Sequence, residues 1–330
     1  MSPCKWWTPV TSMRNLKSGV WEPELLRTAE RAAERVLVDL GKQSPKLTEK
    51  ICAWLALRGS VSQPSDYFTH LQSLPILALP WWLERAIVNQ VDTDFQTDLM
   101  CSSISGYYFS RMLDDLMDGH ELDLSVVPAL YPFYSRFQST YFKYFNSSDP
   151  FWEVFGRLSM ISAETATVDA TLVDIAETEF VQFAAQKTAA GAIPLAAVCF
   201  RYGRPDILEL WGDLYALFGR WHQMRDDLND WRSDYNAGNR TWFLCEAERQ
   251  RTKPESIPAW ICRKGFKWAA DVMERWMDEL IIKSLDLDSP ELVAYLGERR
   301  ASTNDQIGKL LRIASSVDNL LESDVFRQQA

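Results

Sequence analysis

Gln223-Met224-Arg225-Asp226-Asp227-Leu228-Asn229-Asp230-Trp231-Arg232-Ser233-Asp234 is the stretch on which the reading of this chain turns. On a helix, Asp226, Asp230 and Asp234 stand at i, i+4 and i+8, so three carboxylates line one stripe, with Asp227 flanking them and Asn229 and Ser233 on an adjacent one. The segment before it, 210–221, is mostly apolar, so the helix is expected to run through the core. Carboxylates on such a helix need partners or a metal ion. The plain alternative is a solvated helix end that happens to be acidic.

A second acidic cluster lies upstream. Asp114-Asp115-Leu116-Met117-Asp118 follows the largely apolar run Ile104-Ser105-Gly106-Tyr107-Tyr108-Phe109. Asp114 and Asp118 are four apart and share a helix face, where like charges repel unless a cation relieves them. Mg²⁺ prefers oxygen ligands and takes one or two carboxylates together with substrate phosphates. Two carboxylate helices facing each other across a bundle would hold a diphosphate through several Mg²⁺ ions. Between the clusters, Gln186-Lys187-Thr188-Ala189-Ala190-Gly191 offers a lysine charge and a hydroxyl for diphosphate oxygens. A surface Lys187 paired with Glu179 is the plain alternative there.

The remainder is consistent with a large helical core. Of 330 residues, 47% are hydrophobic, with 14 Trp, 11 Tyr and 16 Phe, enough for an ordinary core or for an aromatic cavity. A net charge of −10 argues against a nucleic-acid partner, but not against an anionic small substrate, since bound cations reverse the local sign. The cysteines at 4, 52, 101, 199, 245 and 262 form no CxxC pair and no disulfide framework. No signal sequence and no membrane-length apolar run is read, so a soluble, cytoplasmic protein is expected, without stable membrane insertion.

Helical periodicity dominates. It predicts helices that include 83–89, 95–118, 128–145, 171–191, 207–234, 257–284 and 290–321. No repeat or Pro/Ser/Gly-rich linker divides the chain. The expectation is an all-α fold, one helical-bundle domain over 1–330 with an N-terminal extension over about 1–22.

These motifs resemble those of the class I terpenoid synthase and trans-isoprenyl diphosphate synthase superfamily. Asp114 to Asp118 matches its DDxxD motif. Gln223 with Asp226, Asp227 and Asp230 resembles its second motif, FQxxDDxxD, with His222 where that motif has Phe. Gly238-Asn239-Arg240-Thr241 resembles the GKxT that follows, and Lys187-Thr188 the KT motif between the two. All four occur in the family's order, over residues 104–244.

The resemblance implies an Mg²⁺-dependent enzyme, with three ions, acting on an allylic prenyl diphosphate. Asp114, Asp115, Asp118, Asp226, Asp227, Asp230 and Asp234 would bind metal. Lys187, Thr188, Gln223, Arg225 and Arg240 would meet the diphosphate, although Arg225 lies about 100° around the helix from Asp226. Asp114, Asp118, Lys187 and Arg225 are the catalytic candidates. Tyr107, Phe109, Phe218 and Trp221 are candidates for a cavity that shields a carbocation and stabilises it by ring quadrupoles, with ordinary core as the competing reading. Relatives are often homodimers, which extends to this chain by analogy.

Departures from the family narrow the subtype. Chain-elongating members carry an Arg pair after the first motif, where this chain has Gly119-His120-Glu121-Leu122-Asp123. Their GKxxRP-type basic segment is not reproduced by Gly41-Lys42-Gln43-Ser44-Pro45-Lys46. Loss of both suggests a single diphosphate substrate. The Asn/Ser/Glu triad of microbial cyclases, read from Asn229 and Ser233, fails at Ala237. The C-terminal Arg-Tyr pair of many cyclases is missing too, with Arg299 and Arg300 as nearest candidates. The expectation is an atypical cyclase, of the fungal humulene-forming kind, converting farnesyl diphosphate to a cyclic sesquiterpene. A prenyltransferase and a non-catalytic regulatory subunit are the alternatives.

Overall fold

Prolines mark where the helices begin. A proline at the first helical position gives up an N–H that has no helical partner there anyway. Thus α1 (Pro23–Gln43), α2 (Pro45–Arg58) and α3 (Pro64–Phe68) each start on one. The computed structural model describes residues 21–58, 64–117, 122–169 and 172–322, and among them every regular element is helical, with no strand. Most of the N-terminal extension read over 1–22 lies outside the described residues.

The described residues fall into two compact units. The first takes those up to Ser159 together with Ala190–Gly212. In it α1 buries Leu25, Ala29, Ala32, Ala33, Val36 and Leu40, a single apolar stripe. α4 (Ala78–Val88) begins five residues ahead of its predicted start at 83 and carries Pro80 in its first turn, where proline is tolerated. α5 (Thr93–Met117) packs on α1 and on α6 (Leu130–Ser139). Its buried face holds Ser102, Ser103 and Ser105. The Ser103 and Ser105 hydroxyls donate to the carbonyls of Leu99 and Cys101, one turn back. The single helix expected over 128–145 is three pieces, with 3₁₀ turns at Leu124–Ala129 and Thr140–Lys143 on either side of α6. Pro128, which cannot donate, sits in the first of them.

α7 (Phe151–Asp169) supplies residues to both units. The second unit takes Met160–Ala189 and the described residues from Asp213 onward. It contains α8 (Glu177–Lys187), which is shorter than the predicted 171–191; α9 (Ile193–Arg201), which packs on α4, belongs to the first unit. α10 (Leu208–Ala237) matches the predicted 207–234 closely and is followed by α11 (Trp242–Gln250), which the periodicity missed. The helix expected over 257–284 is interrupted: α12 (Ile257–Trp260) passes through a π turn at Ile261–Gly265 into α13 (Phe266–Leu285). Gly265 allows this, because a Cβ there would stand 2.8 Å from the buried Trp260 ring. α13 packs on α14 (Pro290–Glu322). No single described helix is long and apolar enough to cross a membrane.

Candidate functional site

α10 is apolar in its first half and acidic in its second. Trp211, Leu214, Phe218 and Trp221 are buried. Beyond them Asp226 is half-buried, Asp230 exposed and Asp234 half-buried, so the predicted stripe runs outward from the core. Asp227 is turned inward and only 5% exposed. Its Oδ1 accepts a 2.9 Å hydrogen bond from Gln223 Nε2. Burial pushes the Asp227 carboxyl up to about 8; the charges of Asp234 and Asp226 add to the rise, while Gln223 and Lys187 oppose it.

The lysine reaches this acidic face because α8 ends directly on α10. Their contact is at Gly219: a Cβ there would lie 2.6 Å from Thr188 Oγ1 and 3.1 Å from the Ala184 carbonyl oxygen. Thr188 is the C-cap of α8 and hydrogen bonds the buried Tyr215 hydroxyl on α10. Ser162 Oγ on α7 donates to the Lys187 carbonyl at 3.2 Å. Lys187 is therefore held at a helix terminus beside α10, and its charge acts on Asp227, about two turns beyond Gly219.

The opposite flank of the stripe is basic. Arg225 Nη1 is 3.6 Å from Asp226 Oδ1, and its side chain is only 13% exposed. His222 Nε2 lies 3.5 Å from Asp226 Oδ2. On the ring's other side Arg299 Nη2, from α14, is 3.3 Å from His222 Nδ1. Burial brings the His222 imidazole down to about 4; Arg299 and Arg225 deepen the fall, and Asp226 opposes it. Phe218 and Trp221, candidates for a substrate cavity, are fully buried with their ring centroids 4.9 and 4.6 Å from the Arg299 guanidinium.

Gly238-Asn239-Arg240-Thr241 stops one helix and starts the next. Gly238 adopts φ +78°, the left-handed conformation suited to a helix C-terminus. The Asn239 N–H donates to the Asp234 carbonyl and its side chain to Asp234 Oδ1 at 3.2 Å. Thr241 Oγ1 accepts from Leu244 N as the N-cap of α11. Arg240 is exposed and donates through Nε to the Val173 carbonyl at 2.9 Å.

In the first unit, the DDxxD motif closes α5. Asp114 is half-buried, and Asp118 lies outside the described residues. Asp115 is fully buried, accepting from Trp54 Nε1 at 3.1 Å and pairing with Arg111 Nε at 3.5 Å. It is thus anchored in the core, while Arg111 also feels the charge of Asp114. Tyr107 is half-buried, its ring 5.0 Å from Tyr67 and 5.2 Å from Phe68, and burial raises its phenol well above the ordinary value. Phe109 packs on Tyr134 at 5.2 Å.

Among the described residues no three His, Cys, Asp or Glu side chains converge to form a metal centre by themselves. The donor set nevertheless suits Mg²⁺, which takes few carboxylates and completes its sphere with phosphate and water. Asp226, Asp230 and Asp234 offer only hard oxygen donors. Burial is what raises the neighbouring Asp227 carboxyl; the charges of Asp234 and Asp226 add to it. Sequence reasoning did not single out Gly219, Arg111 or Trp54. It noted His222 and Arg299 only as departures from the family. The i, i+4 spacing of Arg111 and Asp115 was the one available signal; Gly219 and Trp54 depend on contacts between distant segments.

Two outcomes are expected. Asp227 keeps its proton in the folded chain to about pH 8 but loses it near 3.8 when unfolded, so its contribution to stability declines as pH rises between those values. His222 acts in the opposite sense, adding stability as pH rises from about 4 to 6.5. Above pH 6.5 only the Asp227 effect of the two remains. Urea melts of metal-free protein should show stability falling from pH 6.5 to 8, and Asp227→Asn should flatten that slope. An unchanged slope contradicts the burial of an ionisable Asp227. Gly219→Ala should destabilise by about 1–3 kcal/mol through overpacking, since the Ala184 backbone cannot step aside; a neutral or stabilising effect in the same melts would refute the close α8–α10 contact.

No protein-family model matches the chain, and no curated protein matches it. Solved structures do. A geranylgeranyl pyrophosphate synthetase from the archaeon Geoglobus acetivorans is similar over 84% of this chain and 99% of its own, with a TM-score of 0.60 at 14% identity. A polyprenyl synthase from Caulobacter crescentus CB15, complexed with calcium and isoprenyl diphosphate, is similar over 84% of this chain and 97% of its own, with a TM-score of 0.63 at 16% identity. The chain has the all-helical fold of these isoprenyl diphosphate synthases.

Proposed function

We propose that the protein is an Mg²⁺-dependent enzyme acting on an allylic prenyl diphosphate, and that it is a class I terpene cyclase converting farnesyl diphosphate to a cyclic sesquiterpene with release of diphosphate. The observation that carries the reading is the close contact at Gly219, which sets the Lys187-Thr188 end of α8 against the helix that bears Asp226, Asp230 and Asp234. A lysine at a helix terminus beside oxygen donors is the chemistry a leaving diphosphate requires.

Bound Mg²⁺ would neutralise charge growing on the leaving group. Asp114 and Asp118 of the first motif and Asp226, Asp230 and Asp234 of the second are the proposed ligands. Lys187 and Arg225 are the proposed cations for diphosphate oxygens. Thr188 and Gln223 are already engaged with Tyr215 and Asp227, so their part is to hold this face in shape. Among the cavity candidates, Tyr107 in its cluster with Tyr67 and Phe68 is the one proposed to face a cation, since Phe218 and Trp221 enclose Arg299.

Use of a single diphosphate is supported by the absence of an Arg pair after the first motif; Arg111, four residues before Asp115, is paired with that buried carboxylate at 3.5 Å. The second reading, a prenyltransferase, is favoured by the structural neighbours, both of which are synthases by name.

Gas chromatography–mass spectrometry of products decides between them. Purified protein with Mg²⁺ and one allylic diphosphate should give a hydrocarbon or alcohol, lost on adding EDTA. Longer diphosphates formed only with isopentenyl diphosphate would make it a prenyltransferase. No turnover under either condition would remove the enzymatic reading. Lys187→Ala and Asp226→Asn should each lower kcat on the order of 10²-fold with unchanged helical circular dichroism.

A further inference from the structure

Arg299 is a fully buried cation on α14. Besides the rings of Phe218 and Trp221 it meets Tyr295, whose hydroxyl accepts from Nη1 at 2.6 Å. This packing closes the guanidinium away from any diphosphate. Its Nη2 is directed at His222 Nδ1, 3.3 Å away. Arginine has donors only, so Nδ1 must accept. The ring then carries its proton on Nε2, the nitrogen that stands 3.5 Å from Asp226 Oδ2. Asp226 has a competing neighbour, since Arg225 Nη1 approaches its other oxygen at 3.6 Å. A phenylalanine at 222 would donate nothing to this carboxylate.

We propose that Arg299 and His222 form a positioning relay for Asp226: the guanidinium holds the imidazole as its Nε2–H tautomer, and that N–H fixes the carboxylate in the orientation that receives a divalent cation. The proposal rests on the reading of α10 as a cation-binding helix. Groups that orient a ligand from behind commonly change metal affinity by about 10–100-fold when removed. In this relay Arg299 reaches Asp226 through His222, so the two residues form one energetic unit.

The test separates the relay from the metal reading beneath it. The chain has three histidines, so nitrogen NMR of the ¹⁵N-histidine-labelled full-length protein is simple, and His222→Phe identifies the signal. The Nε2–H tautomer is expected for His222 in the wild type, and a tautomer mixture in Arg299→Met. Titration with Mn²⁺, followed by electron paramagnetic resonance, should show about 10–100-fold weaker binding in His222→Phe, and no further loss in His222→Phe/Arg299→Met. Should Arg299→Met fail to fold, Arg299→Lys, which keeps a donor, serves in its place and should retain part of the affinity. An Nδ1–H tautomer in the wild type, or additive losses in the double variant, overturns the relay. Wild-type Mn²⁺ affinity retained in His222→Phe overturns the relay alone. The expected tautomer in a wild type that does not bind Mn²⁺ overturns the cation reading of α10 and the relay's purpose with it.

Discussion

Crowded carboxyl groups on a partly buried stretch of α10 are the constraint around which the second unit is organised. α10 has to pack an apolar half and then present four aspartates within nine residues, Asp226 to Asp234. Like charges one turn apart repel, and Asp227, turned into the core, carries its charge only at an unfavourable cost. Asp230 is exposed. Neighbouring cations relieve others: Lys187 acts on Asp227 and Arg225 flanks Asp226.

The neighbouring elements make sense in that light. α8 can deliver a lysine to the stripe only because Gly219 lets Thr188 and the Ala184 carbonyl lie against α10. The Gly238–Thr241 segment ends α10 just past Asp234 and lends it a side-chain donor from Asn239. α14 supplies Arg299, whose charge is screened by aromatic faces rather than by water. In the first unit the motif is divided differently. Asp115 is anchored by Trp54 and Arg111 in the core, so the half-buried Asp114 is the described member with its side chain nearer solvent.

Much of this was legible in sequence. The all-helical fold followed from periodicity, and α10 was placed within a few residues by its apolar run and the i, i+4, i+8 aspartates after it. Shorter elements were not legible. α11 is nine residues long, and its Thr241 cap carries little weight without a long amphipathic run. The π turn at Ile261–Gly265 depends on a contact between Gly265 and Trp260 that periodicity does not encode. At the site, i, i+4 spacing correctly put the Asp226 stripe on α10. It could not say that Asp115 and Asp227 turn inward, nor that Phe218 and Trp221 enclose an arginine from α14. The departure at His222 was visible as a letter, but its meaning required Arg299, 77 positions away.

Isothermal titration of inorganic diphosphate into the wild type, with and without Mg²⁺, tests the central claim most directly. Diphosphate is expected to bind only when Mg²⁺ is present, and to bind more weakly in Lys187→Ala. Binding of equal strength without Mg²⁺, or no binding in its presence, would contradict the assignment of α10 and Lys187 to a metal–diphosphate site.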